Sequence, residues 1–231
     1  MSILLRSDII LQTENFLAKS NPNDRYSSFD YCYNHFKTFD KSNVDIEKSC
    51  LVLGFYLASW GMFRGSSFLI QKSVKHFQPL ILYIASLEKD IWKIDVDNYS
   101  DKNMANIMEV YSKIKELVIT DNNTDLTLIT KILLGVFGFV PAFDQYFGDT
   151  FRQIFTHENC GFRRVNVKSL TCIKQFYEAN KIVIDNIASR TFTTDFLTGE
   201  KTVVNYPKAK IIDMYGFNLR TSKTPLVNTS L

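Results

Sequence analysis

The chain has 231 residues, 45% hydrophobic and 22% charged, with a formal net charge of +3. These values exclude wholesale disorder and allow a well-buried core. A sequence pI near 8.5 permits an anionic partner without demanding one, because dedicated nucleic-acid binders generally lie above about 9.

Residues 3–19 carry an amphipathic helical pattern that ends at the turn "SNPND" (20–24). A second helix is expected over 26–39, with Phe29, Tyr33 and Phe36 at helical spacing, and a long apolar helix over 44–62. "RGSS" (64–67) interrupts the pattern, with Ser66 or Ser67 placed to cap a helix over 68–92. The polar stretch "DVDNYSDKN" (95–103) is expected to be a loop, followed by a helix over 104–119 and a polar turn over 120–125. Thr124 or Asp125 then caps a helix over 126–136, ended by Gly135 and Gly138, and Pro141 suits the first turn of a helix over 142–155. One more amphipathic helix is expected over 167–187. The alternating, Thr- and Val-rich segment 191–206 bends at "LTGEK" and predicts a β-hairpin; Pro207 opens a last helix before a frayed tail. The expected fold is mainly α, a multi-helix globular domain with one C-terminal β-hairpin. It forms a single compact unit over 1–231, or two helical subdomains (1–94 and 104–231) around a central cleft.

Neither apolar run suits a membrane span. Residues 51–62 are too few, and 126–143 contain Lys131 and break at Pro141. Cys32, Cys50, Cys160 and Cys172 form no Cys-x-x-Cys pair, and no signal peptide is evident. A reduced, cytoplasmic protein with buried thiols is therefore expected. Cys32 and His35 have a metal-like spacing, but no second pair completes a tetrahedral site, so no metal is expected.

Three segments have the residue types that chemistry needs. In "YLASWGMFRGSSFLIQ" (56–71), Arg64, Ser66 and backbone N–H groups after an apolar helix suit a phosphate; the alternative is a helix kink capped by serine. In "RQIFTH", Arg152 and His157 have the spacing of the active-site motif of HEPN-type ribonucleases, which are also helical. In "KILLGVFGFVPAFDQYF" (131–147), a lysine opens an apolar run and Asp144 closes it among aromatics. Asp144 there is a helix-starting acid, a catalytic group, or both. Lys131 is a snorkelling surface residue or a reactive amine.

The segments "RYSSFDYCYNHF", "FYLASWGMFRGSSFLIQ", "TKILLGVFGFVPAFDQYF" and "YPKAKIIDMYGF" together resemble a widespread family of uncharacterised bacterial proteins, and that resemblance implies no activity. A Lys on one helix, an apolar stretch, then Pro and an Asp opening the next helix is remotely similar to the helix-hairpin-helix DNA glycosylases. "NNTDLTLITK" departs from that pattern in lacking the glycines that normally precede the lysine. The resemblance implies Asp144 as the carboxylate that stabilises the deoxyribose cation and Lys131 as a nucleophile. Trp60, Phe139, Phe143, Tyr146 and Phe147 would wall a pocket for a flipped base. Phosphate contacts are expected from Arg64, Ser66, Arg152, Arg163 and Arg164. The function so implied is a DNA-binding base-excision enzyme, monomeric and without cofactor, acting on a damaged or modified base, for example in foreign DNA. The alternatives are a ribonuclease using Arg152 and His157, and a non-enzymatic helical module whose aromatic surface binds protein.

Overall fold

The computed structural model describes Arg6 and residues 8–40, 42–120 and 124–221. The expected start of the first helix at 3 and the tail from 222 lie outside the described residues, as do residues 121–123 of the expected polar turn.

The fold is mainly helical, with a small two-stranded antiparallel sheet near the C-terminal end. The chain runs α1 (Ile9–Leu17), α2 (Ser28–Lys37), α3 (Ile46–Ser59), α4 (Gln78–Ser86), α5 (Asp101–Val118), α6 (Leu126–Ile132), α7 (Gln145–Ile154), α8 (Val167–Ala179), α9 (Lys181–Arg190), β1 (Phe192–Thr194), β2 (Lys201–Asn205) and α10 (Lys208–Thr221). Phe192 lies opposite Asn205 and Thr194 opposite Lys201 in the hairpin. Among the described residues no helix is long and apolar enough to cross a membrane.

Local chemistry accounts for several helix starts. Asp45 caps α3 by accepting the Lys48 N–H, and Ser100 caps α5 by accepting that of Asn103. Asn166 and Ser169 close a reciprocal capping box at the start of α8. The start of α10 is capped from afar: Asp95 accepts the N–H groups of Lys208 and Ala209 at 2.7 and 3.0 Å. The polar segment 95–100, shorter than the expected loop because α5 already starts at Asp101, is thereby tied to the last helix.

Two expected helices are broken. The segment 68–92 is a pair of 3₁₀ turns (Phe68–Gln71 and Val74–Phe77), then α4, then a third turn (Lys89–Lys93). Pro79 explains the restart, because it lacks the N–H to continue a helix and fits its first turn. The segment 167–187 divides at Asn180, whose side chain donates to Phe176 O and accepts from the Arg6 N–H. A side chain serving two backbone groups, one of them 174 residues away, outweighs the apolar period there.

After α6 the backbone widens into a π turn, Leu133–Phe137. Trp92 Nε1 donates to Val136 O at 3.1 Å, meeting a carbonyl in this turn. Helices α7 and α10 pack face to face at Gly216. A Cβ there would lie 2.7 Å from the Phe147 ring, so only glycine allows this approach. Thr150 Oγ1 donates to Gly216 O at 2.8 Å across the same contact.

Candidate functional site

A cavity of about 630 Å³ opens where α1, α3, α6, α7 and α10 come together. Phe16, Tyr26, Trp60, Tyr146 and Phe217 supply its aromatic walls. Ring centroids are 5.5 Å apart for Tyr26–Trp60, 6.1 Å for Trp60–Phe217 and 5.1 Å for Tyr146–Phe217. Trp60 and Phe217 meet edge to face, the arrangement that ring quadrupoles prefer.

Asp144 and Lys131 face each other in this cavity. Asp144 is the N-cap of α7: Oδ1 accepts the Phe147 N–H at 3.0 Å, and Oδ2 accepts from Lys131 Nζ at 3.3 Å. The side chains are 15% and 5% exposed, so the pair has one open edge. Lys131 Nζ also lies 4.9 Å from the Trp60 ring centroid. Lys131 is therefore buried, which corrects the expectation of a snorkelling surface lysine. Its apolar stem packs on a helix whose other faces are also buried, so snorkelling would not bring it to solvent. Asp144 starts a helix and enters the cavity with the same carboxylate.

The turn that delivers Asp144 is held residue by residue. Ala142 N–H donates to Asp213 Oδ1 at 3.0 Å, and Phe143 N–H to Thr130 Oγ1 at 2.9 Å. Thr127 Oγ1 donates to Phe143 O at 3.2 Å. Tyr56 OH donates to Lys131 O at 3.1 Å. Burial, with Cys32, Asp213 and Asp144 adding to it, pushes the Tyr56 hydroxyl well above its ordinary range, so it remains a neutral donor.

A second buried pair lies behind the wall. Lys210 Nζ meets Asp213 Oδ2 at 2.8 Å, with the side chains 2% and 8% exposed. Lys210 Nζ is also 4.9 Å from the Trp60 ring centroid, so one indole contacts two buried ammonium groups.

The cavity gathers Trp60, Arg64, Lys131, Asp144 and Tyr146 from the expected site. It does not gather Phe139, Phe143 or Phe147, which are buried in the core; Phe143 and Phe147 stack on each other at 5.3 Å. Their apolarity suited either role, and the helix start at Asp144 turns them inward. Ser66 lines an adjoining cleft of about 540 Å³ that shares Arg64, while Ser67 caps the 3₁₀ turn that follows. Arg152 pairs with Asp149 and donates to Gly161 O, which engages the guanidinium expected to bind phosphate or cleave RNA. His157 is exposed in a 3₁₀ turn beyond α7. Arg163 and Arg164 line a shallow cleft of about 210 Å³ elsewhere.

Sequence reasoning missed Lys19, Arg25, Tyr26, Phe217 and Asn218. A signal did exist for Lys210 and Asp213: two opposite charges three residues apart inside the apolar run "KAKIIDMYGF". Among the described residues no group of three or more His, Cys, Asp or Glu is placed to hold a metal ion.

Compared with protein-family models, curated proteins and solved structures, the chain matches none.

Proposed function

We propose that this cavity accepts a base flipped out of DNA and that the protein removes it by breaking the N-glycosidic bond. The observation that carries the reading is the Asp144–Lys131 pair at the open edge of an aromatic-walled cavity. As the bond from C1′ to the base nitrogen breaks, the base leaves with the electron pair and positive charge develops on the sugar. A carboxylate in poorly solvated surroundings favours that cation. Water then adds to C1′ and gives its extra proton to the Lys131 amine, which has passed one to the departing base.

Lys131 acts as the proton donor to the departing base nitrogen. Its Nζ is paired with the Asp144 carboxylate, and as an ammonium it has no lone pair for attack on the sugar. The aromatic walls supply stacking surfaces, and the volume of about 630 Å³ exceeds what one base needs. The test is incubation of wild-type and Asp144→Asn protein with unmodified, damaged and hypermodified duplex DNA, followed by alkali and a gel. Alkali-labile sites that fall at least about a hundredfold in Asp144→Asn are the expected result. Intact DNA across the panel, at a salt concentration low enough for binding, would overturn the reading.

A further inference from the structure

The geometry points to a phosphate subsite at the mouth of the cavity, built from Lys19, Arg25 and Arg64, so that the ligand is a ring carrying a phosphoester. This rests on the reading of the cavity as a base pocket and deepens it. Four cationic side chains line the cavity, Lys19, Arg25, Arg64 and Lys131, against the single carboxylate of Asp144. Asp144 is taken by Lys131, which leaves the other three without a counter-charge in the cavity. Neither Lys19 nor Arg64 has an ion pair or side-chain hydrogen bond among the described residues. Arg6, Arg152 and Arg190, by contrast, are each paired with an acid.

Two of the three cations are held by their surroundings. Arg25 lies over the Tyr26 ring at 4.9 Å and donates through Nη2 to Tyr26 OH at 3.2 Å. One guanidinium nitrogen is thus spent on the wall, and the rest of the fork is available. Arg64 folds back across Gly61, where a Cβ would lie 2.6 Å from its Nε. Gly61 has φ +78°, a left-handed conformation that side chains other than glycine rarely adopt. The turn after α3 therefore leaves room for the guanidinium beside Trp60. Lys19 and Arg25 follow α1 and Arg64 follows α3, so separate segments bring the charges to one opening. Fork donors with no acid partner suit the oxygens of a phosphate.

A free nucleotide and a nucleotide within a strand present the same chemistry, and calorimetric titration separates them. The probes are the four nucleosides, their 5′-monophosphates, inorganic phosphate and a short single-stranded oligonucleotide. At least one monophosphate, or the oligonucleotide, is expected to bind about tenfold or more tightly than the corresponding nucleosides. Arg64→Ala should remove that advantage and leave nucleoside affinity unchanged. Gly61→Ala should do the same by displacing Arg64, whereas Arg163→Ala should not. The logarithm of the binding constant should fall with the logarithm of salt concentration, and less steeply in Arg64→Ala.

Monophosphate binding assigns the subsite to free nucleotides. Binding of the oligonucleotide alone, with the same dependence on Arg64, assigns it to a strand. Nucleosides binding as well as their phosphates, an Arg64→Ala variant equal to wild type, or no binding by any probe would each overturn the inference. Phosphate-dependent binding without base release from DNA keeps the subsite and removes the excision reading, so the two proposals fail separately.

Discussion

Two buried Lys–Asp pairs flank the same indole, and they differ in what surrounds them. Lys210–Asp213 is sealed: its oxygens are taken by Lys210 Nζ and the Ala142 N–H, and the ammonium sits within about 5 Å of the Phe16, Phe29 and Trp60 ring centroids. Lys131–Asp144 repeats the pairing with a longer contact and one edge open to the cavity. The difference separates a structural ion pair from one that a ligand can reach. A sealed pair holds a turn in place, and an open pair keeps its charges available to whatever enters. The two are linked in series, because Asp213 holds Ala142, two residues before Asp144.

The comparison breaks most sharply at Asp213. Asp213→Ala strands the Lys210 ammonium and frees the Ala142 N–H, and unfolding in urea is expected to show a loss of about 3–5 kcal/mol. Lys210→Met combined with Asp213→Asn should recover most of it, since the amide oxygen still accepts from Ala142 and no charge is left unpaired. A double variant as unstable as Asp213→Ala would show that volume, and not charge, governs this site.

Asp144→Asn tests the open pair. It keeps a side-chain oxygen for the Phe147 N–H and leaves Lys131 near the cavity opening, so a loss of about 1–3 kcal/mol is expected in the same measurement. A loss as large as that at Asp213 would place the pair among sealed structural ones. Thr130→Val removes the acceptor for the Phe143 N–H together with the donation from Oγ1 to Leu126 O within α6. It should cost about 1–2 kcal/mol in thermal denaturation and shift ligand affinity at the cavity more than Thr38→Val, an exposed control.

A pH-dependent effect concerns an acid with no lysine partner. Asp95 accepts the N–H groups of Val96, Lys208 and Ala209, and burial pushes it up to about 6 against those bonds. Because its folded value lies above its unfolded one, its proton-linked stabilisation is fully present below about pH 4. It is lost as pH rises through about 6. Carbon NMR of the Asp95 carboxyl should show a midpoint near 6; a midpoint near 4 would mean that the three N–H donors outweigh burial.

Much of the helical architecture was legible because it depends on local pattern. Apolar period and cap residues placed α2, α3, α5 and α7 within a few residues, and the change of period announced the hairpin. The breaks within 68–92 and at Asn180 were not legible as such. The second depends on Asn180 reaching Arg6, a partner 174 residues away. The site divides in the same way. Asp144 and Lys131 stood out because a short segment contains both, whereas Lys19, Arg25 and Phe217 join them only through tertiary packing. Phe139, Phe143 and Phe147 were misplaced because aromatic residues suit a core and a pocket equally well, and only the direction of the chain decides.

The distance along the chain between the cavity's walls bears on how the protein is made. Asn218 Nδ2 donates to Gln12 Oε1 at 2.8 Å across 206 residues, and Phe217 closes the wall that Phe16 begins. During synthesis, every helix before α10 can leave the ribosome while this wall is still missing. The nascent chain therefore has neither Phe217 nor the pair behind Trp60 until almost all of the described length has emerged. The ligand proposed for the cavity needs this wall, so its binding should appear in a timed translation only once α10 has emerged rather than grow with chain length.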